Sequence, residues 1–200
     1  MNIHPVFPIP VANFQLGREF TSEEMAFITE QPVVGNTGNK TSKNKYLLRH
    51  DTLANLNQFV QECVNKYVNE IYSPKEDVSF SITQSWTNYS KPGEWHHQHR
   101  HPNSFVSGVL YIKAANERDK IYFHRNEYTQ IEVSPKTWNI YNSKTWWISV
   151  GTGNLLMFPS GLTHSVASVE IDERISLAFN VFPVGYLGDE DNITSLYLRN

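Results

Sequence analysis

Sulfur chemistry is almost missing from these 200 residues: a single cysteine, Cys63, rules out an intrachain disulfide and makes a reducing, cytoplasmic setting the expectation. Cys63 falls inside a helical pattern and reads as packing, because a lone thiol behaves as a small buried apolar group. Charge is sparse too, at 18% of residues with a net of −3. No basic surface is offered to nucleic acid or to an anionic membrane. The opening Met1-Asn2-Ile3-His4-Pro5 lacks a basic region leading into an apolar stretch, so no signal peptide is expected. No apolar run approaches the roughly 18 residues that a membrane span needs. Gly35 and Gly38 do not form a phosphate-loop pattern, and the polar stretch from Gly35 to Asn44 reads as a mobile loop. Helix-length periodicity does not recur after Tyr72, which disfavours a βαβ chain.

Aromatic residues are plentiful, with ten Tyr, eleven Phe and five Trp, a composition that suits strands. The length fits one domain, 1–200, with an extended arm and helical support over 1–75, a β core over 76–185 and a tail over 186–200. In the arm, three prolines interrupt apolar residues up to position 16, as in an edge strand. Thr21 to Met25 reads as a capped helix start with Phe27 and Ile28 on its apolar side. The clearest helix spans about Asp51 to Tyr72, where Leu53, Leu56, Phe59, Val60, Cys63, Tyr67, Val68 and Ile71 form one stripe. Alternation then predicts strands over 78–89, 104–112, 120–124, 131–133, 154–158, 165–169 and 175–182, divided by turn residues. Many short strands of this kind point to an antiparallel sandwich or barrel. Trp138, Tyr141, Trp146 and Trp147 read as core rather than as a binding face. The segments 142–147 and 35–44 are candidate loops over its mouth.

Four of the eight histidines fall within six residues, His96, His97, His99 and His101, and imidazole is the commonest protein ligand for transition metals. On a regular strand His97, His99 and His101 share one face and His96 takes the other, so any pair two residues apart could grip an ion. His4, His50 and His124 stand alone and read as ordinary residues. Downstream, His164 begins a strand after the turn Pro159-Ser160-Gly161. Arg174 opens another strand, expected to lie beside that of His164. A guanidinium in a barrel needs an anion: either a bidentate carboxylate ligand or a structural partner among Glu170, Asp172 and Glu173. A three-histidine cupin-type metalloprotein, a zinc hydrolase with Glu94 as base, and a non-enzymatic metal- or ligand-binding β-sandwich are the competing readings.

Taken as an ordered set, Trp86-x-Asn88, Gly93, His99-x-His101-Pro102, Ser107-Gly108-x-x-Tyr111, Pro159-x-x-x-x-His164-Ser165-Val166 and Arg174-Ile175-Ser176-x-x-x-Asn180 resemble the iron(II)- and 2-oxoglutarate-dependent oxygenases. The resemblance is to a prolyl-hydroxylase-like branch of bacterial and phage proteins, and it covers roughly Ser85 to Phe182. It implies a mainly β double-stranded β-helix (a jelly roll, cupin-like) with N-terminal supporting helices. It also implies the cytoplasm of a bacterium or of a phage-infected cell. Carried over by position, His99, His101 and His164 are the ligands of Fe(II), and Arg174 anchors the far carboxylate of 2-oxoglutarate. Tyr111, Ser107 and Asn180 are candidates to hydrogen-bond that co-substrate. Dioxygen takes the remaining metal position, and hydroxylation of a small molecule or peptide follows, a prolyl or other peptidyl side chain being the leading guess. The usual triad has an acid where His101 stands; Glu94 as the acid, or His97 with His99 as the pair, remain alternatives.

Overall fold

The structure, a computed structural model, describes residues 1–75, 77–126, 131–189 and 191–199. Helix α1 (Ser22–Thr29) starts as its sequence predicts. The Thr21 hydroxyl accepts from the Glu24 N–H at 3.1 Å and the Glu24 carboxylate accepts from the Thr21 N–H at 2.9 Å, so two otherwise orphaned donors are satisfied. Helix α2 (Ala54–Ile71) follows two short 3-10 turns over 47–53. Its buried stripe is Leu56, Val60, Cys63, Val64, Tyr67 and Val68. Ile71, expected on that stripe, is 41% exposed because it sits at the fraying last turn, and Val64 takes its share of the core.

The strands form two antiparallel sheets. In the larger, β1 (Ala12–Gln15), β9 (Asn154–Pro159), β6 (Val106–Lys113), β11 (Arg174–Leu187), β4 (Val78–Ser90), β3 (Asn39–Ser42) and β2 (Val33–Asn36) lie in that order, and β12 (Leu196–Leu198) pairs with β11. The smaller orders β5 (His96–His99), β10 (His164–Val166), β7 (Lys120–His124) and β8 (Thr145–Ser149). Period-two alternation along β11 builds two cores at once. Ile175, Leu177, Phe179 and Val181 join the helical core around α2. Ala178, on the opposite face, packs with Val109, Tyr111, Leu156 and Phe158 of the large sheet and Ile121 and Phe123 of the small one. The sheets therefore face one another, and Arg174, Ser176, Ala178 and Asn180 lie on the face turned into the space between them.

Several expectations need correction. Of residues 35–44, read as a mobile loop, 35–42 belong to the hairpin β2–β3, closed by Thr37-Gly38 with Gly38 at φ +88°. A glycine supplies that left-handed turn at no steric cost, which the polar composition concealed. Gly38 also admits a close neighbour: a Cβ there would meet the Trp95 carbonyl at 2.5 Å. Trp95 N–H donates to the Gly38 carbonyl at 2.9 Å, pinning the hairpin tip to the start of the histidine strand. Ile131 and Val133 form no strand and are 79% and 83% exposed; two alternating residues before Pro135 have no partner strand to bury them. Thr145–Ser149, read as part of a loop, is the edge strand β8. Trp138, Tyr141 and Trp147 are exposed rather than core, since they lie on that edge strand and on the segment leading to it. Arg174 and His164 sit in opposite sheets, not on neighbouring strands.

Two outcomes follow from this packing. A Cβ on Gly108 would lie 2.1 Å from the ring of the fully buried Phe179. Gly108→Ala should lower stability by about 1–3 kcal/mol, read as a fall in the urea midpoint. Burial pushes the Cys63 thiol up to about 11, so it should resist a thiol reagent in the native protein and react fully once urea unfolds the chain.

Candidate metal centre and its cavities

His99 ends β5, His101 follows two residues later, and His164 opens β10 directly across from His99. Their ligand-capable nitrogens all lie within 4.8 Å of one another. The outer nitrogen of each ring is engaged by an oxygen. His99 Nδ1 lies 2.7 Å from the His97 carbonyl and His164 Nδ1 lies 3.0 Å from the Leu162 carbonyl. His101 Nδ1 lies 2.7 Å from Asn180 Oδ1. A carbonyl oxygen can only accept, so each Nδ1 carries the hydrogen and each Nε2 presents a lone pair. Burial holds these imidazoles neutral, lowering His99 to about 4 and His101 and His164 below the ordinary value.

Two such lone pairs face each other where His99 Nε2 and His101 Nε2 stand 3.3 Å apart. No hydrogen is left to bridge them, so the contact is repulsive unless a cation lies between. Two imidazole nitrogens at right angles, each about 2.1 Å from one ion, would be about 3.0 Å apart. The donor set therefore fits a divalent metal. Among the described residues, the groups able to hold one contain only histidines. Glu94 is not among them: its carboxylate accepts from the Lys91 N–H at 2.9 Å and closes a turn.

His96 does not face away as strict alternation predicts. Its ring stacks on His99 at 4.4 Å, and His96, His97 and His99 form a second close group. The cause is a bulge: Val166 pairs with His96 and His164 with His99, so three steps on β5 match two on β10. The extra residue shifts the side-chain phase and returns His96 to the inner face.

Ser107 and Asn180 fall elsewhere than expected. Both meet His101 at its Nδ1 edge, Ser107 Oγ at 2.9 Å, rather than lining the cavity that holds Arg174. Asn180 Nδ2 donates to Gln84 Oε1 at 3.0 Å, which turns Oδ1 toward the histidine. Ser107 Oγ contacts Ser160 Oγ at 2.8 Å, and the His101 N–H donates to the Ser160 carbonyl at 3.0 Å. Gln84 and Ser160 went unnoticed in the sequence. The alternation of β4 and β11 places Gln84 opposite Asn180 and is the signal that could have found it.

The inner cavity is narrow, about 30 Å³, and is lined by the histidines together with Asn88, Tyr111 and Arg174. Arg174 is 3% exposed and lies over the Tyr111 ring at 5.1 Å. Its Nε is 3.7 Å from Asp119 Oδ1, too long for a hydrogen bond, whereas Glu173 pairs with Lys113. Arg174 Nε, the Tyr111 hydroxyl and Asn88 Oδ1 are buried with no hydrogen-bond partner among the described residues. Burial holds the Tyr111 hydroxyl protonated, raised to about 12. The unpaired donors, Arg174 Nε and the Tyr111 hydroxyl, are costly, and a carboxylate can accept from both; Asn88 Oδ1 is itself an acceptor and needs a donor instead. The residues fit a dicarboxylate by chemistry, although side chains must shift to admit one.

Two facing antiparallel sheets with three histidines converging between them form a double-stranded β-helix, a cupin-like fold. Residues 84–180 match the family described as "Putative 2OG-Fe(II) oxygenase". Solved structures agree on the fold. A 2OG-Fe(II) oxygenase family oxidoreductase from Burkholderia pseudomallei is 13% identical, covering 84% of this chain and 83% of its own at a TM-score of 0.58. HygX from Streptomyces hygroscopicus, solved with nickel, 2-oxoglutarate and hygromycin B, is 11% identical over 86% and 82% at 0.58. A Pseudomonas putida prolyl-4-hydroxylase is 14% identical over 86% and 92% at 0.53. No curated protein matches the sequence. The family match spans 97 of the 200 residues, and over that stretch the sequence is similar to the iron(II)- and 2-oxoglutarate-dependent oxygenases.

Removing the support behind a ligand tests the geometry. Asn180→Ala leaves the His101 Nδ1–H without its amide acceptor and should weaken Co(II) affinity about 10- to 100-fold in a spectroscopic titration. Gln84→Ala, one bond further out, should cost less.

Proposed function

We propose that His99, His101 and His164 hold the iron of a 2-oxoglutarate-dependent dioxygenase and that Arg174 binds the far carboxylate of the co-substrate. The observation that carries this reading is the convergence of three Nε2 lone pairs beside a buried arginine whose Nε has no hydrogen-bond partner among the described residues. Iron bound there would supply the oxidising chemistry, in which 2-oxoglutarate is converted to succinate and carbon dioxide as one atom of dioxygen enters it and the other enters a substrate C–H bond. The chain's own residues position, orient and exclude water. His97, Leu162 and Asn180 fix the three tautomers through their oxygens. Arg174 fixes the co-substrate's direction, and Tyr111, held protonated, offers it a hydroxyl. Asp119 accompanies the guanidinium without neutralising the donors that face the cavity. A peptidyl substrate, prolyl above all, is supported by the likeness to the prolyl-4-hydroxylase.

Anaerobic addition of Fe(II) and 2-oxoglutarate should produce the weak visible charge-transfer band of the chelate. His164→Ala should abolish it, and Arg174→Ala should raise the 2-oxoglutarate concentration required by about 100-fold, as expected for loss of a buried bidentate pair. A wild-type protein with no band at saturation sinks the proposal. Normal iron binding by His101→Ala together with loss in His97→Ala would move the ligand set by two residues.

A further inference from the structure

The histidines also border a second, wider cavity, a groove of about 490 Å³. That volume falls within the range of small-molecule sites. One wall comes from β3 and the turn after it, which bring Thr41, Lys45 and Tyr46. The facing wall is the histidine strand with Arg100, and Gln84 and Trp86 of β4 complete the lining. Among the described residues, Lys45 and Arg100 are the charged side chains of its lining, and no carboxylate joins them. The chain as a whole carries 20 acidic against 17 basic side chains, so this positive character is local.

Lys45 is not a surface lysine waving in solvent. Its ammonium donates to the Ser42 carbonyl at 2.6 Å and to Thr41 Oγ1 at 3.2 Å. Two of three donors are thus spent on neutral oxygens, and among the described residues no acceptor takes the third. Burial without a carboxylate disfavours the charge and lowers the Lys45 pKa. Arg100 is exposed and lies between His99 and His101, so the ligand segment fixes its place beside the groove. Trp86 adds a flat apolar surface whose ring lies 5.5 Å from that of His101.

We propose that this groove is the substrate site and that it selects substrates carrying an anionic group, a carboxylate or a phosphomonoester, beside a planar or apolar portion. The inference rests on the reading of the three histidines as the iron site. Lys45 and Arg100 take the anion, Trp86 and Tyr46 take the apolar portion, and the carbon to be oxidised then lies against the histidines.

The test is a calorimetric titration of the full-length protein, loaded anaerobically with Fe(II) and saturating 2-oxoglutarate so that Arg174 is occupied. The probes are phenyl phosphate, phenylacetate and the neutral phenylacetamide. At least one anion should bind about tenfold or more tightly than the amide, and its affinity should fall as salt rises. Which of the two binds better distinguishes phosphate from carboxylate. Arg100→Gln, at an exposed position, should weaken anion binding about five- to tenfold while leaving the 2-oxoglutarate band unchanged. Lys45→Met should weaken it further, and Arg100→Gln carries the test alone if loss of the Lys45 brace unfolds the hairpin. Equal affinity for the amide, no anion bound at millimolar concentration, or an unchanged affinity in Arg100→Gln overturns the proposal. Absence of the chelate band is a separate result: it removes the oxygenase reading, and titration of the metal-free protein still reports whether the groove prefers anions.

Discussion

Everything at the mouth of this barrel depends on where three imidazole hydrogens sit. A neutral histidine can present a lone pair from either nitrogen, and only the hydrogen bond at the other one decides which. Here two backbone carbonyls and one amide oxygen occupy the Nδ1 positions. The acceptors differ in kind. His99 and His164 each bond a carbonyl two residues upstream, so their tautomers are set by local backbone. His101 depends on Asn180, 79 positions away, and thus on the register of β11 against β4 and β6. A slip of one residue in that pairing would turn Asn180 into the helical core and leave His101 free to choose the wrong tautomer.

On the proposed ligand set, His101 stands where the customary acid would, which alters the electrostatics as well as the donor atom. Three neutral imidazoles leave a divalent ion with its full charge, where a triad containing a carboxylate would halve it. The cavities around the histidines carry little negative charge of their own. Asp119 stays by Arg174, and Glu94 is spent on a turn. The compensating charge must come from what binds, and a dicarboxylate co-substrate is suited to that. An acid at position 101 would also fit poorly with its surroundings, because the Oδ1 of Asn180 is an acceptor aimed at that position and a carboxylate has no hydrogen to give it.

Much of this was legible from residue order. The capping box at Thr21, the stripe of α2 and the alternation of β4, β6, β7 and β11 are local patterns, and local patterns survive into the fold. The fold brings His99, His101 and His164 together and lines one cavity with them and Arg174, a grouping that histidines and an arginine inside strand patterns already pointed to. What failed was non-local. No composition rule shows that Gly38 lets a hairpin tip approach Trp95, or that Ile131 and Val133 find no partner strand. Ser107 and Asn180 were singled out, yet their service to His101 appears only when β6 and β11 pair, because Asn180 lies opposite Ser107 across that register.

The misreading of His96 shows how one inserted residue reorganises a site. Period two holds along a strand only while each residue faces one partner, and β5 breaks that condition between His96 and His99. The bulge has two consequences for the cavities. It stacks the His96 ring on that of His99, covering one face of the imidazole. It also lets Asn36, from the hairpin, approach His96 Nε2 at 3.3 Å. The hairpin that composition disguised as a loop and the strand whose phase was misjudged are therefore in contact at the same residue. Together they close one side of the histidine cluster and leave the groove beside Lys45 and Arg100 open.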